Sequence, residues 1–164
     1  MTPLTVTVSV SQSEGDELMT TIDIALFLTL EGKGQEALHF YQEVFQGEIL
    51  FAMTFEEFKN QLAPDITIKA GTEQWLSHAV LQIGQTQLQL TDHPIDPRIP
   101  YRQGNSLSLS VMLDSIEQAQ ILYDKLIQHP LSKRIQPPIQ NEFATFYAIV
   151  QDPFGVTIQL TKEK

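Results

Sequence analysis

The chain has 164 residues, 42% of them hydrophobic and 18% charged, enough to bury a sizeable interior in one domain or in two small modules sharing a core. Lys and Arg number 10 against 20 Asp and Glu, a net charge of −10 that disfavours nucleic acid and anionic membrane as partners, because phosphates need clustered cations. The absence of cysteine excludes disulfides, thiolate catalysis and Cys-held metals. No stretch approaches the roughly 18 apolar residues of a membrane span, and the N-terminus lacks the basic-then-apolar layout of a signal peptide, so a cytoplasmic location is the expectation.

Residues 4–10 alternate strictly, Leu-Thr-Val-Thr-Val-Ser-Val, within an N-terminal extension taken as 1–20. They predict a strand, either an added edge or an arm reaching a second subunit. Residues 22–30 alternate again, with Ile22, Ile24, Leu26, Leu28 and Leu30 on one face and Asp23, Ala25, Phe27 and Thr29 on the other. From 35 to 45 the period becomes helical, with Ala37, Leu38, Tyr41, Val44 and Phe45 on one stripe and Gly47 as the stop. Residues 49–55 predict a second strand. Residues 55–75 have no clean period and read as a long connection of the kind that covers sites. Strands at 77–83 and 87–91 make a hairpin around Gly84-Gln85, closing a first module at 21–92.

A proline-rich linker at 93–104 follows, and the order restarts in a second module at 105–164. Residues 107–113 predict a strand. Asp114 or Ser115 caps a helix carrying Ile116, Ala119, Leu122, Tyr123, Leu126 and Ile127. A short strand at 133–136 stops at a Pro137-Pro138 break, and strands at 145–150 and 156–161 flank the turn Asp152-Pro153-Phe154-Gly155. Ala119 lies 82 residues after Ala37 (119 − 37), and Tyr123 and Gln128 fall at the same offset from Tyr41 and Gln46. The two halves also close alike, Leu88-Gln89-Leu90-Thr91 against Ile158-Gln159-Leu160-Thr161. Strand, helix and three strands therefore occur twice, which predicts an α+β fold of two βαββ modules related by a pseudo-twofold, with a mixed curved sheet forming a cup.

Three stretches, Gln35-Glu-Ala-Leu-His-Phe-Tyr-Gln-Glu-Val-Phe45, Ser77-His78-Ala-Val-Leu-Gln-Ile-Gly84 and Asp152-Pro-Phe-Gly155, give the chain a resemblance to the vicinal oxygen chelate superfamily (glyoxalase I, bleomycin-resistance proteins, extradiol dioxygenases), and within it to the PhnB-like branch. With their intervening order they cover about residues 21–162. The resemblance implies paired modules enclosing a cavity, a small-molecule ligand and a homodimer. Metal-using relatives take ligands from the first and last strand of each module. Carried over, those positions fall on Gln89 and Gln159, near Ala25 (or Ile24), and on Ser108. Two amides, a hydroxyl and an aliphatic residue bring no charge to offset a cation's lost water, so no metal and no cofactor is expected.

Strand parity sets His78, Gln89, Ser108 and Gln159 on the faces opposite Leu81, Leu88, Leu109 and Ile158. Alternation alone favours the solvated outer face of an antiparallel sheet. The family geometry turns it into a polar cup, with His78, Gln89, Ser108, Tyr147 and Gln159 as the candidate ligand-binding residues. Tyr147 and Phe143 lie where PhnB-like relatives carry a Phe-Trp-Gly segment, although Ala144 here replaces the tryptophan. Trp75 is a candidate rim residue or a packing one, and Phe51, Met53 and Phe55 read as core or dimer surface. No residue is singled out as catalytic. The functional expectation is metal-independent binding of a small organic molecule, cationic if the net charge steers it. The alternative is a metal-dependent lyase, isomerase or dioxygenase of the same superfamily.

Overall fold

A computed structural model describes residues 22–164. The predicted strand at 4–10 lies outside the described residues. The order is β1 (Leu26–Thr29), α1 (Gly34–Phe45), β2 (Glu48–Thr54), α2 (Phe55–Gln61), β3 (Leu76–Ile83), β4 (Thr86–Thr91), β5 (Ser108–Met112), α3 (Ile116–Gln128), β6 (Lys133–Ile139), β7 (Ala144–Gln151) and β8 (Thr157–Glu163). Each half thus holds a strand, a helix and three strands, one strand more than the βαββ shorthand. The strands form two separate four-stranded mixed sheets, β1-β4-β3-β2 and β5-β8-β7-β6, rather than one continuous curved sheet. In each, the first strand runs parallel to the last and the remaining pairs are antiparallel. β1 and β5 are consequently both edge strands.

The apolar stripes explain the layering. Ala37, Leu38 and Tyr41 of α1 are buried on Ala79, Leu81, Leu88 and Leu90, and Ala119, Leu122, Tyr123 and Leu126 of α3 are buried on Ala148, Val150, Ile158 and Leu160. Ser115, not Asp114, caps α3, its hydroxyl accepting from the Gln118 N–H at 3.1 Å. The left-handed residue that ends α1 is Gln46 (φ 54), not Gly47. Gly47 is needed for space, since a Cβ there would lie 2.9 Å from the Gln82 carbonyl oxygen.

Three expectations about element extent are corrected. β1 begins at Leu26, and Ile22 and Ile24 are 80% and 83% exposed, because no neighbouring strand reaches them. The stretch after β2 contains α2, which Thr54 opens with a capping box: its hydroxyl accepts from the Glu57 N–H at 3.2 Å while the Glu57 carboxylate accepts from the Thr54 N–H at 2.8 Å. Pro137-Pro138 does not break β6. That strand lies at the edge of its sheet and its ladder skips from Gln136 to Ile139, so the prolines remove no pairing hydrogen bond.

The two halves are locked by the Asp152-Pro153-Phe154-Gly155 turn. Phe154 leaves its own module and packs in the first core, 5.6 Å from Phe40 and 5.8 Å from Tyr41 between ring centroids. In exchange, Val44 of α1 packs in the second core. The Tyr41 hydroxyl donates to Asp152 Oδ2 at 2.5 Å, and Asp152 Oδ1 accepts from the Phe154 and Val156 N–H groups, each at 2.9 Å. The turn that reads locally as a hairpin connection is therefore also the bolt between modules.

Candidate functional site

The buried faces of both sheets point to the helices, leaving the opposite faces open. On the second sheet, β5, β7 and β8 bring Ser108, Tyr147 and Gln159 together. Gln159 pairs with Ser110 on β5 and with Ile149 on β7, which sets Ser108 and Tyr147 on the same face, one pleat along. The Tyr147 hydroxyl donates to Gln159 Oε1 at 2.9 Å, and Gln159 Nε2 donates to Ser108 Oγ at 2.8 Å. The amide carbonyl is already accepting, and the serine hydroxyl, having accepted, keeps its own proton to give.

The first sheet carries His78 and Gln89 on its open face, with different surroundings. Gln89 pairs with Phe27 on β1 and Val80 on β3. Its amide reaches only Gln87 Oε1, at 3.4 Å. His78 stacks on Phe27 (5.7 Å between centroids, 22° between planes) and lies 6.0 Å from Phe51. Phe27 and Phe51 stay 42% and 41% exposed, forming an aromatic platform with the imidazole between them. Among the described residues no hydrogen bond joins this pair of site candidates to Ser108, Tyr147 and Gln159, so the five fall into two sets, one on each sheet.

Between the two edge strands lies a cleft of about 430 Å³. Leu26, Phe27, Leu28 and Leu107 give it apolar walls, and Tyr101, Arg102 and Ser108 give it polar ones. The 101–107 segment straps across it, pinned where Gln103 Nε2 donates to the Phe154 carbonyl oxygen at 2.6 Å. Gly155 (φ +85) admits that strap, since a Cβ would lie 1.9 Å from Gln103 Nε2. Burial raises the Tyr101 phenol above its usual pKa, and the charge of Glu31 adds to the rise, so Tyr101 is a donor at neutral pH. Burial also raises Asp152, against the opposing pull of its Tyr41, Val156 and Phe154 hydrogen bonds, and it holds Tyr41 well above the usual tyrosine range with the Asp152 charge adding to the effect.

Sequence reasoning overlooked Phe27 and Phe51 as open-face aromatics and Arg102 as a cleft residue. Phe27 was visible as the large residue out of phase with the aliphatic stripe of 22–30. Arg102 carried no signal beyond its place in the linker. Trp75 is no rim residue: it covers Gly32, where a Cβ would meet its indole at 2.9 Å. Phe143 is 64% exposed and lies edge-on to Tyr147, 6.4 Å away.

The positions at which relatives hold a metal do not fit one here. Extending the β1–β4 ladder by one residue sets Ala25 beside Gln87, as Ser108 sits beside Thr157, so the first module offers a methyl group where the second offers a hydroxyl. Gln159 Oε1, the atom that would ligate, is engaged by Tyr147. Among the described residues no three His, Cys, Asp or Glu side chains gather as a ligand set. Among the described residues, too, no helix is long and apolar enough to cross a membrane.

The fold is shared with solved structures. Protein PA1353 from Pseudomonas aeruginosa superposes with a TM-score of 0.72 at 23% identity, over 87% of this chain and 98% of that one. The PhnB protein from Bacillus cereus gives 0.67 at 25% identity, over 86% and 99%. A glyoxylase/bleomycin resistance protein/dioxygenase domain from Frankia sp. EAN1pec gives 0.57 at 13% identity, over 90% and 100%. No match is found among curated proteins. Residues 29–160 match the family model described as Glyoxalase/Bleomycin resistance protein/Dioxygenase superfamily, and with strand–helix–three-strand modules present twice, the chain belongs to that superfamily.

Proposed function

We propose that this is a PhnB-like member of the superfamily that binds a small organic molecule without a metal, at the open faces carrying His78, Gln89, Ser108, Tyr147 and Gln159 and the cleft beside them. The observation that carries this reading is the hydrogen-bonded Tyr147–Gln159–Ser108 row, which joins three neutral polar side chains on the open face. That row presents one amide and two hydroxyls, neutral groups that hydrogen-bond an organic molecule but bring no charge to offset a cation's lost water. The 25% identity to the Bacillus cereus PhnB protein and the Asp152-Pro153-Phe154-Gly155 turn support the branch.

A homodimer goes with this proposal. Leu107 and Met112, at the two ends of the β5 edge, are 83% and 75% exposed, an apolar content that association would cover. Sedimentation equilibrium giving a monomer would remove that part and leave the ligand reading intact.

The test joins two measurements on protein purified without chelator. Elemental analysis is expected to give far less than one divalent metal per chain, and a protein-observed NMR screen of small organic molecules is expected to give binders that shift the side-chain signals of Gln159 and His78. Stoichiometric zinc, nickel, iron or manganese would favour the metal-dependent enzyme instead. A screen whose binders all shift signals elsewhere would sink the site.

A further inference from the structure

The cleft between β1 and β5 differs in charge from the chain that forms it. The whole protein carries −10, yet among the described residues the lining holds one charged side chain, Arg102, and no carboxylate. Arg102 is exposed, and among the described residues the one ion pair is Arg98 with Asp96, so the Arg102 guanidinium has no acidic partner within salt-bridge distance. Ser108 lines the same cleft with a hydroxyl proton left to donate, because its oxygen already accepts from Gln159. That donation is reinforced along the chain: Tyr147 polarises the Gln159 carbonyl, and the amide N–H in turn polarises the serine. Tyr101 adds a phenolic proton from the strap.

Much of the remaining lining is apolar: Leu26 and Leu28 from β1 and Leu107 from the strap, with Phe27 presenting a ring whose other neighbour is the His78 imidazole. A volume of about 430 Å³ suits one small ligand and is too small for a peptide or nucleotide chain. A lining that combines donors with aromatic and aliphatic side chains is complementary to a molecule that is anionic at one end and flat or apolar at the other.

We propose that this cleft binds a small monocarboxylate with an aromatic or aliphatic body, the carboxylate accepting from Arg102 and Ser108 and the body lying against Phe27 and Leu28. The inference rests on the small-molecule reading above and adds the ligand's charge and shape. It runs against the steering that the net charge alone would give. Arg102 matters because a planar guanidinium meets a carboxylate with two parallel hydrogen bonds, whereas a cationic ligand would find no carboxylate among the described lining residues to meet it.

Three probes of one shape and different charge decide the matter: benzoate, benzamide and benzylamine, titrated by calorimetry into the full chain. Benzoate is expected to bind at least about tenfold more tightly than either of the others, the margin of one charge-assisted contact. Arg102→Gln should remove that preference with an unchanged urea midpoint, because its side chain is exposed and makes no ion pair among the described residues, and Ser108→Ala should cut benzoate affinity about fivefold. Equal binding of benzamide, or tighter binding of benzylamine, overturns the carboxylate assignment and leaves small-molecule binding standing. Undetectable heat with all three at about 10 mM also overturns it; the NMR screen then reports separately on the broader reading. A benzoate affinity that Arg102→Gln leaves unchanged would place the anion elsewhere and overturn the site.

Discussion

At equivalent strand positions the first sheet carries Phe27, His78 and Phe51 where the second carries Ser110, Tyr147 and Gln136, as their registers to Gln89 and Gln159 show. The duplicated glutamine is common to both, and its neighbours decide what it does. Among hydroxyls it is held at both ends, by Tyr147 at 2.9 Å and Ser108 at 2.8 Å. Among aromatic rings it is left with one long contact at 3.4 Å. One module thus supplies oriented hydrogen bonds and the other a stacking surface, and a ligand spanning both edges would meet two chemistries rather than one repeated twice. An amide's usefulness is set by whether its two ends are distinguished by partners, and here one copy is and one is not.

The largest effect is expected where the two unlike faces are held side by side. Asp152→Ala leaves the Tyr41 hydroxyl and two N–H groups without their acceptor, at about 3–5 kcal/mol, and should lower the melting temperature by about 10 °C. Asp152→Asn should cost much less, since its carbonyl serves both N–H groups and its NH₂ can face the Tyr41 oxygen. The pH dependence separates the two further. Burial raises the folded Asp152 pKa above its unfolded value near 3.8, so its contribution is complete below that pH and is lost as pH rises through the folded pKa. Wild type should therefore gain stability relative to Asp152→Asn as pH falls from neutral toward 4, read from urea midpoints. A gap that stays constant over that range would show that Asp152 does not titrate differently in the folded state.

Next come the two turns that precede the closing strands. Gly155 (φ +85) has Gln103 where a Cβ would go, whereas Gly84 (φ +56) has nothing within 4 Å. Alanine at either position bears the left-handed strain, about 1–2 kcal/mol, but only Gly155→Ala must also displace the strap over the cleft. Gly155→Ala should be the more destabilising and should weaken benzoate binding, while Gly84→Ala leaves the affinity alone. Equal losses of stability, with affinity untouched in both, would detach the strap from the site.

A smaller and sharper contrast uses the equivalent pair Tyr147 and His78. Side-chain amide protons of Gln159 should be well separated in ¹H–¹⁵N spectra and those of Gln89 nearly averaged. Tyr147→Phe should collapse the Gln159 separation, costing about 1 kcal/mol for one lost hydrogen bond. His78→Phe, which keeps the stack and breaks no hydrogen bond, should change neither pair nor the melting temperature measurably.

Periodicity exposed the repeat because buried faces are written into alternation and helical spacing: Leu81, Leu88, Leu109 and Ile158 are all buried where parity put them. It failed where local chemistry competes with period. Thr54 and Glu57 spelled a helix start inside a stretch too short to show a stripe, and Pro137-Pro138 looked like a break because edge position is a property of the assembled sheet. The same limit applies to the site. Parity set Gln159 and Tyr147 on an open face, but no spacing says that they touch. Nor could it say that Phe154 would cross into the other module, since an exposed turn and a docked one share the same four residues. Arg102 was unreadable for a similar reason: a cleft between two edge strands exists only after both sheets have formed.

The last difference between the modules is α2, which joins β2 to β3 in the first, while the second makes the corresponding link through residues 140–143. Thr54→Ala removes the hydroxyl that caps α2 and should lower the melting temperature by about 2 °C, less than any loss of stability above because none of that helix is buried. Glu57 makes the effect pH-dependent. Its carboxylate accepts first from the Thr54 N–H and then from the Thr54 hydroxyl, and both lower its pKa. A depressed folded pKa gives stability that is present above the unfolded value of about 4.5 and is lost as pH falls through the folded one. Glu57→Gln should therefore differ from wild type at pH 7 and converge with it in acid. A difference that does not change with pH would mean that the capping box forms without the carboxylate's charge, and that α2 is held by the Thr54 hydroxyl alone.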